Sequence, residues 1–176
     1  VASKKMMESS SIFRIASQTK AIVSAGILIL YDEGKLSLND PVSKYIPAFA
    51  NETVINKYKA SDTTYTTVPA KRQITIKDLL THTSGLVYPG IGTDTMRAIY
   101  AKANIPAGLG VVNANLLDEM NALAKLPLSF QPGEKWRYGL SVDVLGCVIE
   151  VISGMNLEDF LRKNIFDPLD MDDTWF

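Results

Sequence analysis

One cysteine, Cys147, and one histidine, His82, are all that the 176 residues contain of those two types. A lone cysteine excludes an internal disulfide and leaves the redox compartment unreadable. One histidine and one cysteine also exclude most zinc constellations, so neither a metal nor another cofactor is expected. No charge dominates: 18 Lys and Arg stand against 19 Asp and Glu. That balance argues against nucleic acid or an anionic membrane as partner. Long apolar runs are missing too. The run that begins at Ala21 is interrupted by Ser24 and Gly26 and ends at Asp32, so no transmembrane segment is expected. Repeats and low-complexity tracts are absent, and no series of strands alternates apolar with polar residues. What is left is a globular chain, 47% hydrophobic, long enough for one domain with a core.

The positive signals gather around Ile12-Phe13-Arg14-Ile15-Ala16-Ser17-Gln18-Thr19-Lys20. Behind it, Ala21 to Leu30 is nearly free of charge, which predicts a helix apolar on every face and therefore buried all round. Ser17 and Lys20 are three residues apart and share a face of its first turn. A lysine against a buried wall loses hydration, and a neighbouring hydroxyl can then pass it a proton. The Ser17 N–H, at a helix N-terminus, suits a developing oxyanion. By itself the pair reads more often as a helix cap and a solvated lysine than as a catalytic pair.

The rest of the chain is expected to be mostly α. Gly34 suits the left-handed position that ends the central helix. Asp40 and Pro41 predict the cap and first turn of a short helix ending before Pro47. Ala48 to Pro69 reads as a long surface loop or an irregular hairpin, with a β-like patch at Tyr65 to Val68. Thr75, with Asp78 three residues on, caps a helix that ends at Thr81-His82-Thr83-Ser84-Gly85. Thr93 or Asp94 caps the next helix, through about Lys102, and Ile105 to Val112 is a glycine-bearing loop. Another helix is predicted over Ala114 to Lys125, stopping before Pro127. Gln131-Pro132-Gly133-Glu134 is a turn that delivers Trp136-Arg137-Tyr138. Ser141 is read as the cap of an apolar helix from Val142 to Ile152, in which Cys147 packs as a small hydrophobe. Asn156 caps a last helix through Phe166.

The order of these landmarks resembles the serine β-lactamase and penicillin-binding-protein superfamily, nearest to class C β-lactamases and their related carboxylesterases. The residues that carry it are Phe13 to Lys20, Gly34 to Val42, Ile74 to Leu86, Gln131-Pro132-Gly133 before Tyr138, Asp143-Val144-Leu145-Gly146 and Pro168-Leu169-Asp170-Met171. The resemblance implies that Ser17 is the nucleophile of an acyl-enzyme and that Lys20 helps to deprotonate it. Tyr138 matches the tyrosine that shares the proton with that lysine and hands it to the leaving group. Ser141 and Trp136 are implied as substrate-facing residues, and His82 as part of a structural corner. The implied reaction is hydrolysis of an ester, a β-lactam or a D-alanyl peptide, and the alternative is a silent homologue that binds such a ligand or peptidoglycan.

Two departures bear on substrate. Leu140 stands where these β-lactamases carry an asparagine, which tilts the expectation towards a carboxylesterase, and Gln18 follows the nucleophile where an apolar residue is usual. The family's later Lys-Thr-Gly or His-x-Gly strand has no counterpart after Tyr138. Residues 1–176 are therefore expected to be a partial domain: 11–34 as the nucleophile-bearing central helix region, 35–176 as a helical lobe including the tyrosine loop. That lobe would belong to an α/β fold whose sheet lies largely outside this chain. The isolated piece is expected to be inactive. The family implies a periplasmic or secreted location and leaves the cytoplasm open; oligomeric state is unread.

Overall fold

The computed structural model describes residues 6–106 and 115–175. Helix α1 (Thr19–Asp32) follows a 3-10 turn at Ala16–Gln18, and 3-10 turns at Val42–Lys44 and Pro47–Asn51 lead to the strands β1 (Thr53–Lys59) and β2 (Thr64–Pro69). Then come α2 (Ile76–Leu80), α3 (Asp94–Lys102), α4 (Leu116–Leu123), α5 (Ser141–Ser153) and α6 (Leu157–Leu161). The chain continues from α6 as a π turn at Arg162–Phe166 and a 3-10 turn at Asp167–Leu169. The helical expectation holds, and the fold is that of the helical lobe. The predicted loop at 105–112 falls mostly on residues outside the described ones.

Local capping chemistry sets most of the helix starts. Thr75 accepts a hydrogen bond from the Asp78 N–H while the Asp78 carboxylate accepts from the Thr75 N–H, a reciprocal box that satisfies two free donors of α2. Thr93, Asn115 and Asn156 each accept from the N–H three residues on, and so start α3, α4 and α6. Gly34, at φ 69°, turns the chain away from the end of α1.

Two expected caps are different in the structure. Asp40 does not cap the turn at Val42–Lys44; its carboxylate instead accepts from the Ser37 N–H, the Lys44 ammonium and the Tyr45 hydroxyl. Ser141 does not cap α5 either: Leu140 occupies the cap position without a side-chain bond, and Ser141 is the first helical residue.

Helix α5 is the axis of the core. Val144, Leu145, Cys147, Val148 and Ile149 are fully buried, packed with Ile27 and Leu30 of α1 and Phe160 and Leu161 of α6. Each such aliphatic side chain is worth about 1.5–3 kcal/mol relative to exposure. Gly26 lets Ile149 of α5 pack tightly on α1, since a Cβ there would lie 3.0 Å from Ile149 Cδ1. Ser17, at the entrance of α1, is bonded to Tyr138, just before α5, so the N-terminal ends of the two helices lie near each other.

The burial of α1 differs from the expectation. Only Val23, Gly26, Ile27 and Leu30 are buried, whereas Ala21, Ala25, Leu28 and Tyr31 are exposed. Charge-free sequence all round the helix predicts burial all round, but α5 and α6 cover one face only.

The hairpin is irregular, as the sequence allowed. Antiparallel pairing runs from Thr53 against Pro69 to Lys59 against Thr64, with a register shift between Ile55 and Lys57. It is tied to the helices through Leu128, whose N–H donates to Thr53 O and whose carbonyl accepts from the Ile55 N–H.

Candidate active site

Ser17 sits in the tight turn that enters α1. Ala16 before it has φ 45°, a left-handed conformation that costs a residue with a Cβ about 1–2 kcal/mol. That twist leaves Ser17 exposed at the mouth of the helix, with Lys20 one turn further in and half-buried.

Tyr138 reaches Ser17 from a loop that a second corner holds in place. The Asp78 carboxylate, engaged by both Arg72 guanidinium nitrogens, also accepts from the Thr83 hydroxyl at 3.2 Å. Burial works to raise the Asp78 carboxyl, but Arg72 and Thr75 hold it below the usual carboxylate range. The corner so anchored presents its carbonyls to the tyrosine loop. Gly133 N–H donates to Thr83 O at 2.8 Å, and Arg137 N–H donates to His82 O at 2.8 Å. His82 takes φ 55° to make that possible. Directly after the tyrosine, the loop runs against the backbone of Leu86 and Val87. A Cβ on Gly139 would lie 2.5 Å from Leu86 O and 2.7 Å from Val87 Cα, so only glycine fits.

This scaffold joins the expected catalytic residues. The Tyr138 hydroxyl donates to Ser17 Oγ at 2.6 Å. Lys20 Nζ lies 5.0 Å from the centre of the Tyr138 ring and 5.3 Å from that of Tyr88. The two tyrosine rings are stacked, 5.8 Å apart and 11° from parallel. A cation over such rings is favoured by their negative faces. Burial raises the Tyr88 phenol, and the Lys20 charge pulls it back.

His82 packs its ring against Tyr138 at 5.0 Å and edge-on against Trp136 at 6.2 Å. Burial first, and the Lys20 charge second, push its pKa below the ordinary histidine value, so the ring is neutral at pH 7. Among the described residues its buried Nδ1 has no hydrogen-bond partner, which is inconsistent with a Ser-His-Asp relay.

The remaining expected residues divide. Trp136 is 67% exposed, beside His82 and two residues from Tyr138. Ser141 is fully buried, and its hydroxyl shares a 2.9 Å hydrogen bond with that of Ser84. It has no surface to offer a substrate, so the expectation that it faces one is corrected: it ties α5 to the corner.

Two residues of the site were missed as such. Tyr88 lies three residues past Gly85, and Asp143 five past Tyr138, in the first turn of α5. Asp143 is a landmark of the motif, and with Glu150 it is one of two acids in an otherwise largely apolar helix.

The Beta-lactamase family model matches residues 1–176. The chain is 36% identical to Protein Rv1367c of Mycobacterium tuberculosis over 97% of its own length and 40% of that protein. It is 35% identical to Esterase EstB of Burkholderia gladioli, again over 97% of itself and 40% of the relative. Among solved structures it is similar to EstCE1, a hydrolase with promiscuous acyltransferase activity, with TM-score 0.73 and 28% identity over 90% of this chain and 38% of that one. The chain thus spans about 40% of the length of the curated relatives it matches. Among the described residues, no helix is long and apolar enough to cross a membrane.

Proposed function

The chain belongs to the Beta-lactamase family, and from that premise we propose that it carries the nucleophile and proton-transfer residues of a serine carboxylesterase. The observation that carries the proposal is the 2.6 Å hydrogen bond between Tyr138 and Ser17 with the Lys20 ammonium at 5.0 Å from the tyrosine ring.

In the working form the Tyr138–Lys20 pair has one proton fewer than its fully protonated state. The phenolate, favoured by the lysine cation, accepts the Ser17 proton as Oγ attacks the ester carbonyl. The Ser17 N–H faces the oxyanion, with a second donor supplied by the part of the full-length protein beyond this lobe. Collapse of the tetrahedral intermediate breaks the bond to the alkoxide, which takes the proton from Tyr138 and leaves as alcohol. Water then attacks the acyl-Ser17 ester, giving up its proton by the same route, and the carboxylic acid is released.

An ester is favoured over a β-lactam because Leu140, where an amide donor would be needed, is 2% exposed and apolar. The name of the EstB relative, an esterase, points the same way. Trp136, exposed beside the reacting groups, is the candidate wall for the acyl or alcohol portion. Residues 11–34 and 35–176 are then two parts of one partial domain, inactive in isolation.

The test uses the full-length protein. It should hydrolyse a short-chain nitrophenyl ester faster than a chromogenic cephalosporin, and a fluorophosphonate should label it at Ser17. Ser17→Ala should abolish both turnover and labelling. Undiminished hydrolysis in that variant overturns the proposal, and faster cephalosporin turnover by the wild type replaces the ester with a β-lactam.

A further inference from the structure

Tyr88 is half-buried and follows two buried residues, Leu86 and Val87. Those two form the wall on which Gly139 is pressed: a Cβ there would lie 2.5 Å from Leu86 O and 2.8 Å from the Val87 carbonyl carbon. Tyr88 comes directly after Val87, and Tyr138 directly before Gly139. The contact of the two backbones therefore sets the two rings side by side, stacked at 5.8 Å. The Tyr88 carbonyl is fixed in turn, accepting from the Gly92 N–H at 2.9 Å. Lys20 carries its ammonium on a flexible four-carbon stem and needs a partner to stay in one place. Among the described residues that ammonium makes no hydrogen bond and no ion pair. What it meets is the pair of rings, at 5.0 Å from the centre of Tyr138 and 5.3 Å from that of Tyr88. Both distances fall within the range of about 6 Å over which a ring face attracts a cation.

We propose that Tyr88 is a positioning residue that acts through Lys20 and Tyr138: its ring is the second wall of an aromatic seat that holds the Lys20 ammonium beside the tyrosine hydrogen-bonded to Ser17. The inference rests on the hydrolase reading for its kinetic consequence, but not for its spectroscopic test. The working part of Tyr88 is the ring face. Its hydroxyl makes no hydrogen bond among the described residues. Burial raises its phenol above the ordinary tyrosine value, so it stays neutral and leaves the Ser17 proton to Tyr138. Taking the ring away removes one of the two faces under the ammonium, and with it the stacking partner of Tyr138. Substrate then binds as before, but lysine, phenol and Ser17 meet less often in the reacting arrangement.

NMR of the full-length protein with isotopically labelled lysine reads the seat without any turnover. Protons next to an ammonium that lies over two ring faces are shifted upfield, and the Lys20 signal is assigned by its loss in Lys20→Arg. Tyr88→Leu should reduce that shift by about half, one of two rings being lost, and Tyr88→Phe should keep it. In stopped-flow acylation by a nitrophenyl ester, the rate at saturating ester should fall about tenfold in Tyr88→Leu. Tyr88→Phe, which keeps the ring, should recover most of that rate, and the half-saturating concentration should stay the same in both. Tyr88→Met, also without a ring, serves if the leucine variant does not fold. An unmoved Lys20 signal in the ringless variant overturns the inference. So does an equal loss of rate in the phenylalanine and leucine variants, or a raised half-saturating concentration, which would make Tyr88 a wall for the substrate. Failure of the wild type to take up fluorophosphonate overturns the hydrolase reading instead and leaves the Lys20 signal to decide the role of Tyr88.

Discussion

Tyr138 and Ser17 share a 2.6 Å hydrogen bond across 121 positions of sequence, and the phenol is the donor. Everything else in the candidate site is arranged to hold that contact. α1 carries Ser17 at its entrance, the corner at Thr81 to Gly85 clamps the loop of Tyr138, and α5 packs behind both.

Replacing Tyr138 by phenylalanine keeps the ring stacked on Tyr88 and over His82 but removes the proton acceptor. In the full-length protein, kcat/KM for a nitrophenyl ester should fall by about a hundredfold or more. The melting temperature should stay close to that of the wild type. Stopped-flow acylation and a thermal scan on the same sample separate the two effects.

Gly139→Ala forces a methyl group into the backbone of Leu86 and Val87. Relief requires the tyrosine loop to move, at about 1–3 kcal/mol. Both stability and acylation should drop, and the hydroxyl of Tyr138 should withdraw from Ser17. Denaturant unfolding and the burst phase of ester hydrolysis measure the two losses.

Ser141→Ala tests the corrected role of that residue. The Ser84 hydroxyl loses its buried partner, at a cost of about 1–3 kcal/mol. KM for esters should not change, because Ser141 has no exposed atom. A raised KM with stability intact would return Ser141 to the substrate side.

Glu52 lies at the entry to β1, 6% exposed, and among the described residues neither carboxylate oxygen has a hydrogen-bond partner. Burial pushes its carboxyl up to about 7 from 4.5, the nearby backbone N–H groups of Ile74 and of Glu52 itself oppose the rise, and the Asp78 charge adds a smaller push upward. The folded state therefore holds the proton more tightly than the unfolded one. Below the unfolded value both states are protonated and nothing is lost; as pH climbs from there through about 7, stability declines. Glu52→Gln should remove that decline and stabilise the protein at pH 8 by on the order of 2–3 kcal/mol. Urea unfolding of both proteins at pH 5 and pH 8 checks the sign.

Much of this molecule was determined by short stretches of sequence acting alone. Thr75 with Asp78, Thr93, Asn115, Asn156 and Gly34 set helix ends because a cap and its target lie within three or four residues. Ser17 and Lys20 share a face for the same local reason. Where two local bonding patterns competed, sequence could not choose. Asp40 joined Lys44 and Tyr45, four and five residues on, instead of capping, and Ser141 joined Ser84, 57 positions away, a partner that only packing brings to it. The hairpin at Thr53 to Pro69 was legible only in part, since its polar, threonine-rich strands lack a clear alternation and pairing supplies what pattern does not.

Tertiary structure alone decided which face of α1 is buried. Apolar residues on every side announce that partners exist, but not where they stand, and α5 and α6 reach only the side of Val23, Gly26, Ile27 and Leu30. It also decided that Tyr138 meets Ser17. The two stand 121 positions apart, and no spacing along the chain encodes their contact. The nucleophile and its lysine are a matter of local sequence; the tyrosines that complete their surroundings arrive only by folding.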